Sequence, residues 1–192
     1  MASGFSNKVI GQTGEFAVCV QLGKMNLVAT PFAGNLPDFD VIASNSELKV
    51  VPIQVKSTRG NDSWMAGDAR DWLEIDLCSE SGRQTILGLK SISHPGLITV
   101  YVRLSKNPGD RDRFFILTKA EVQQAVRHCY ARWLEKHGGI RPKKQDSFHL
   151  TIPISELLAH EDRWSLVQLA LTQVEANIAV QAVELVSGEI RN

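Results

Sequence analysis

The sequence predicts an α/β fold, one domain with a helical extension at its C-terminal end, and three observations carry that expectation. A stretch with apolar residues at helical spacing opens the chain, a meander of short β-like runs follows it, and a capped helix stands among further strands. At 192 residues the chain is long enough for one good core, so a single domain is the default. We assign residues 1–160 to the domain and 161–192 to the extension.

Lys8 to Leu22 reads as the first helix, with Val18, Cys19 and Leu22 on its buried stripe and Phe16 and Val20 widening it. Gly11 and Gly14 each cost about 1 kcal/mol against Ala inside a helix. Either another backbone approaches closely there or the first turn is frayed. Asn26 to Phe32, Phe39 to Ala43 and Val50 to Ser57 read as three strands joined by turns. Thr58 to Gly67 is polar and glycine-containing, so a loop is expected. Alternation in Trp72 to Cys78 and the apolar run Ile98 to Leu104 predict strands, as does Arg113 to Leu117 beyond the turn Asn107-Pro108-Gly109-Asp110. Thr118-Lys119-Ala120-Glu121 is a capping box. The helix it opens carries Val122, Val126, Cys129, Tyr130, Trp133 and Leu134 and stops at Gly138-Gly139. His149 to Ile154 is a short strand and Ser155 to Leu158 a single helical turn. Arg163 to Val186 reads as one long helix whose Val167, Leu171, Val174, Ile178 and Leu185 follow a heptad-like stripe. That stripe either packs on the chain's own sheet or forms a homodimer seam.

Composition leaves function open. Hydrophobic content of 43% and charged content of 22% are ordinary for a soluble globular protein. No apolar run reaches the roughly 20 residues that span a bilayer, and no export signal opens the chain. Membrane partners are therefore not expected. Cys19, Cys78 and Cys129 lack metal-type spacing and read as reduced thiols, two of them buried on helices, in a cytoplasmic protein. A formal net charge of zero argues against a strong non-specific grip on nucleic acid, although a local basic groove remains open.

The chemistry concentrates in an ordered set of polar residues on otherwise apolar elements. In a strand, residues two apart point the same way, so Gln54 and Lys56 share one face while Ile53 and Val55 take the other. Asp38 and Asp40 share a side if that segment is extended. Glu15 sits among Val18, Cys19 and Leu22 on the helix stripe, where a carboxylate needs a partner. Each residue also has a plainer reading: a solvated Lys56, a turn Asp40, a surface Glu15, a flanking Gln54, a structural Asp38.

Gly14-Glu15, Pro37-Asp38-Phe39-Asp40-Val41-Ile42-Ala43 and Ile53-Gln54-Val55-Lys56-Ser57 together resemble the PD-(D/E)xK nuclease superfamily. The likeness is to its restriction-endonuclease-like and Holliday-junction-resolvase-like branches and covers roughly residues 8 to 60. It implies a restriction-endonuclease-like core, a central mixed sheet flanked by helices, running helix, three-strand meander, helix, strand. It further implies Mg²⁺ or Mn²⁺ held by Asp40, the Gln54 oxygen, a backbone carbonyl at Val55 and Glu15, with Asp38 assisting and Lys56 orienting the attacking water. DNA is the implied partner and phosphodiester hydrolysis the implied reaction. Gln54 departs from the family's acidic residue and removes one negative charge from the metal site.

Ser57, Thr58 and Arg59 follow the lysine and are candidates for phosphate contact, as are Arg141, Lys143 and Lys144 in a basic linker. Trp64 and Trp72 are candidates for base stacking, with burial the default for tryptophan. The histidines show no zinc-ligand spacing. A catalytically silent relative that binds nucleic acid or protein, and an oligomerisation module built on the last helix, are the competing readings.

Overall fold

The computed structural model describes residues 4–32 and 38–172. Helix α1 spans Gly4–Lys24, longer at both ends than its apolar stripe predicts. Val18 and Leu22 are fully buried, but Phe16 and Val20 are 51% and 57% exposed and do not widen the stripe. Residues two apart on a helix lie about 200° apart around its axis, so both fall opposite the face that meets the sheet. Gly14 is where another element comes close: a β-carbon there would stand 1.7 Å from Ser57 Oγ and 2.7 Å from Ser57 Cβ. Gly11 faces open space and makes no such approach.

The meander follows as antiparallel strands β1 (Val28–Pro31), β2 (Val41–Ser44) and β3 (Val50–Arg59), with Val41 opposite Ile53. The expected loop at Thr58–Gly67 is not one. β3 continues to Arg59, and after a turn through Gly60 (φ +65°) strand β4 covers Ser63–Asp68. A short 3-10 turn leads to the hairpin of β5 (Leu73–Leu77) and β6 (Gln84–Leu89). Only then does β7 (Ile98–Leu104) add to β3 in parallel, and β8 (Arg113–Thr118) pairs antiparallel with β7. The central sheet is thus mixed, in the order β1-β2-β3-β7-β8. The crossover from β3 to β7 is built of strands, whereas the family resemblance implies a helix there.

Helix α2 covers Lys119–Lys136 and begins at a complete capping box, with Thr118 and Glu121 bonding reciprocally. Beyond it Gly138 and Gly139 both take positive φ, which releases the chain into the loop before β9 (His149–Pro153). β9 pairs with β4, so the partner of β4 lies far away in sequence, and its residues Ser63–Asp68, with Gly67 at a bulge, show no clean alternation that would predict a strand.

The two helices cover opposite faces of the sheet. Val51, Ile53, Val55, Val100 and Ile116 pack with Val18 and Leu22 of α1. Tyr101, Phe115 and Leu117 pack with Val126 and Tyr130 of α2 and with Trp64. Trp64 is 4% exposed and its Nε1 donates to the Val102 carbonyl at 3.3 Å, so it is a core residue and not a stacking platform. Cys129 is buried on α2, Cys19 half-buried on α1 and Cys78 exposed.

Residues 165–172 are helical, and Val167 and Leu171 are buried against the α1 core. Arg163, just before this helix, forks onto Glu121 at 2.9 and 2.6 Å. The heptad positions from Val174 onward, and with them the homodimer seam, lie outside the described residues. No helix among the described residues is long and apolar enough to cross a membrane.

Candidate active site

β3 carries the centre of the site. Ile53 and Val55 are buried toward α1, Gln54 is half-buried and Lys56 exposed toward the α2 side, as alternation requires. The β2–β3 register, continued one residue before Val41, sets Asp40 opposite Gln54. The Asp40 amide donates to the Ile53 carbonyl at 2.9 Å, which locks this alignment. Asp40 Oδ2 then accepts from the Val55 amide at 2.7 Å. The carboxylate is thereby fixed at the middle residue of Gln54-Val55-Lys56.

Glu15 approaches from α1. It is half-buried, and burial first, then the negative charge of Asp40, raise its carboxyl above the ordinary range. Neither Glu15 nor Asp40 has a cationic partner among the described residues. Two carboxylates within range of each other, and without a counterion, form a site of unbalanced negative charge. Gly14 is what lets α1 come so near, because any side chain there would strike Ser57.

On the other side of β3, a groove of about 430 Å³ is lined by Asp38, Gln54 and Lys56 together with Asp71, Trp72, Lys90 and Lys119. The structure thus gathers Asp38, Gln54 and Lys56 in one groove and Glu15 with Asp40 beside it, the Asp40–Val55 bond joining the two. Among the described residues no cluster of three His, Cys, Asp or Glu side chains could alone hold a metal. Any divalent ion must therefore take further donors from the Gln54 amide, backbone carbonyls or water. Mg²⁺ suits such a set, since it is commonly held by one or two carboxylates, keeps several waters and takes substrate phosphate oxygens.

The flanking phosphate candidates divide. Ser57 turns its Oγ toward Gly14, where it is buried without a hydrogen-bond partner, so it offers nothing to a phosphate. Thr58 shares the face of Lys56 and is half-buried, and Arg59 is exposed at the strand end. Arg141 is engaged locally. It donates to Ser147 Oγ and the His149 carbonyl and lies 4.5 Å over the Trp133 ring. It lines a different groove, between α2 and β9, and Lys143 and Lys144 are exposed on the adjoining loop. Trp72, half-buried, does reach the groove of Gln54 and Lys56.

Sequence reasoning missed Lys90 and Lys119 in that groove. One signal was available for Lys119. It occupies the first turn of α2, where a cation opposes the helix dipole and contributes nothing to helix stability.

No protein-family model matches the chain, and no curated protein matches it. Among solved structures it is similar to a Holliday junction resolvase from the archaeal hyperthermophile Archaeoglobus fulgidus. The two share 15% identity at a TM-score of 0.40, over 81% of this chain and 93% of that one. So low a similarity transfers no residue role and no activity.

Proposed function

We propose that this chain is a metal-dependent endonuclease that hydrolyses phosphodiester bonds of DNA, in restriction, repair or defence. The observation that carries the reading is the Asp40 carboxylate held at 2.7 Å on the Val55 amide, between Gln54 and Lys56 and within the field of a half-buried Glu15. Glu15, Asp40, the Gln54 oxygen and the Val55 carbonyl would hold Mg²⁺ or Mn²⁺, with Asp38 alongside. When bound, such an ion lowers the pKa of water and offsets charge on a phosphoryl oxygen.

The remaining chemistry belongs to the chain's own groups. Lys56 carries its ammonium on the groove face, where it orients the attacking water and stabilises the charge that builds on the phosphodiester. The Val55 amide fixes the Asp40 carboxylate in one orientation, which removes the need to order it at each turnover. Gln54 supplies an oxygen without a charge, so metal affinity is lower than an acidic residue would give.

The test is cleavage of supercoiled, duplex, junction and single-stranded DNA, and of RNA, with Mg²⁺ or Mn²⁺. Loss of cutting in Lys56→Ala and Asp40→Asn supports the reading, and a wild-type protein that cuts none of these substrates with either metal overturns it. One observation favours a second reading, a catalytically silent binding domain: Gln54 leaves the site short of a third acid. Calorimetric titration with Mn²⁺ separates the two, because a silent domain shows no site that is lost in Asp40→Asn.

A further inference from the structure

The far wall of the Gln54–Lys56 groove is held by a buried amide. Gln123 of α2 is 5% exposed, and its Nε2 donates to the carbonyls of Trp72 and Lys90 at 2.7 Å each. The Lys90 amide adds a bond to the Trp72 carbonyl at 3.0 Å. One polar side chain from the core thus fixes the backbone of two residues that line the groove. Such a group is costly to bury unless fully bonded, and here its bonds fix where Trp72 and Lys90 stand.

Among the described residues, the lysines of this groove lack the carboxylate partners that six arginines of the chain have. Arg70, Arg103, Arg111, Arg113, Arg132 and Arg163 each pair with a carboxylate. In the groove, Lys90 Nζ meets only the Arg70 carbonyl at 3.1 Å and Lys119 Nζ only Ser93 Oγ at 3.3 Å. Lys56, Lys90 and Lys119 have no carboxylate partner among the described residues. They outnumber the groove's acids, Asp38 and Asp71. The register places Thr118 across β7 from Ile53, opposite Ile98, and the Lys119 amide donates to the Leu97 carbonyl, so Lys119 sits two strands away from β3 at the level of Pro52, four residues before Lys56. The backbone separation is roughly 16 Å at ordinary strand spacings, or about five nucleotides of rise along one strand of B-form DNA.

We propose that Lys90 and Lys119 are phosphate-binding residues that hold one nucleic-acid strand along the groove, with Trp72 as its aromatic wall and Gln123 as the positioning residue behind them. The inference rests on the reading of the Gln54–Lys56 groove as a phosphodiester site. Lysine acts here as a mobile point charge that follows a backbone without reading sequence, in keeping with a chain whose overall charge is zero and whose grip must be local.

The experiment measures binding of a fluorescein-labelled DNA duplex by anisotropy, in EDTA so that no cutting occurs, between about 50 and 200 mM salt. Lys90→Gln with Lys119→Gln is expected to weaken binding at least about ten-fold at the lower salt and to reduce the salt slope by about 1 per lysine. The paired Arg substitutions retain binding, and Lys24→Gln, at the end of α1 on the opposite face, changes nothing. Thermal melts confirm that each variant is folded. An unchanged affinity and slope in the double variant, or a wild-type protein without salt-dependent binding, overturns the inference. If wild-type protein cuts DNA and the double variant binds and cuts equally well, the inference falls and the nuclease reading stands. If lysine-dependent binding is present but no metal supports cutting, the reverse holds.

Discussion

Glu15 and Glu121 sit on the two long helices that cover opposite faces of the sheet, and the fold treats them in opposite ways. Glu121 caps α2, accepting from Thr118 while Arg163 forks onto it. Burial opposes its charge, but Arg163 and the Thr118 amide outweigh that and hold its carboxyl down to about 2. Glu15 has neither cap nor cation. Burial and the Asp40 charge push its carboxyl up. The first carboxylate is spent on stability, and the second is left in a state that a cation would relieve. That contrast in how two helix carboxylates are paired is what supports the proposed metal site.

The largest expected effects test what the unbalanced region does. Asp40→Asn and Lys56→Ala should each lower DNA cleavage by about 10²–10⁴-fold while thermal melts remain close to wild type. A variant that cuts normally would remove its residue from the site.

The next effect tests how α1 is brought to the site. Gly14→Ala forces a β-carbon into Ser57 and should destabilise the fold by about 2–3 kcal/mol in urea denaturation. Ser57→Gly in the same chain should recover most of that loss, since the clash involves both Cβ and Oγ of the serine. If the second substitution restores nothing, the contact between α1 and β3 is not what limits that approach.

The balanced carboxylate comes third. Glu121→Ala removes half of the capping box and the Arg163 fork together, at a cost of about 2 kcal/mol at neutral pH. Because the folded-state value lies below the ordinary 4.5, the stability Glu121 contributes is present above that pH and is lost as pH falls toward 2. The gap between wild type and Glu121→Ala should therefore close in acid, and a gap constant with pH would show that the ion pair is not its source.

Glu15 gives the smallest effect and the opposite sign. Its folded-state value is raised, so the folded chain binds the proton more tightly and stability declines as pH rises from 4.5 through the raised value. Glu15→Gln should therefore stabilise the protein at neutral pH, by a few tenths to about 1 kcal/mol. Mg²⁺ or Mn²⁺ should raise the wild-type melting temperature and leave Asp40→Asn unchanged. A destabilised Glu15→Gln would contradict the assignment of this region as electrostatically strained.

Local pattern and tertiary context contributed differently along the chain. The α1 stripe at Val18 and Leu22, the three-strand meander, β7, and α2 with its Thr118–Glu121 box were legible in the sequence. Each is specified by residues within a few positions of one another: helical spacing, strand alternation, a cap. The parity that separates Gln54 and Lys56 from Ile53 and Val55 was legible for the same reason. β4 was not, because its irregular residues are held in a strand by β9 and no local signal announces a distant partner. The exposure of Phe16 and Val20 likewise depends on which side of α1 meets the sheet, which the helix alone does not specify.

By itself, then, the sequence determined most of the elements and set Gln54 and Lys56 on one face of β3, since alternation is a property of the chain. Tertiary structure decided which of these meet. It bonded Asp40 to Val55, turned the Ser57 hydroxyl into the α1 interface, and brought Lys90 and Lys119 from separate segments to face Lys56. Such meetings follow from register and packing across the sheet, and those are settled only when distant segments bury one another.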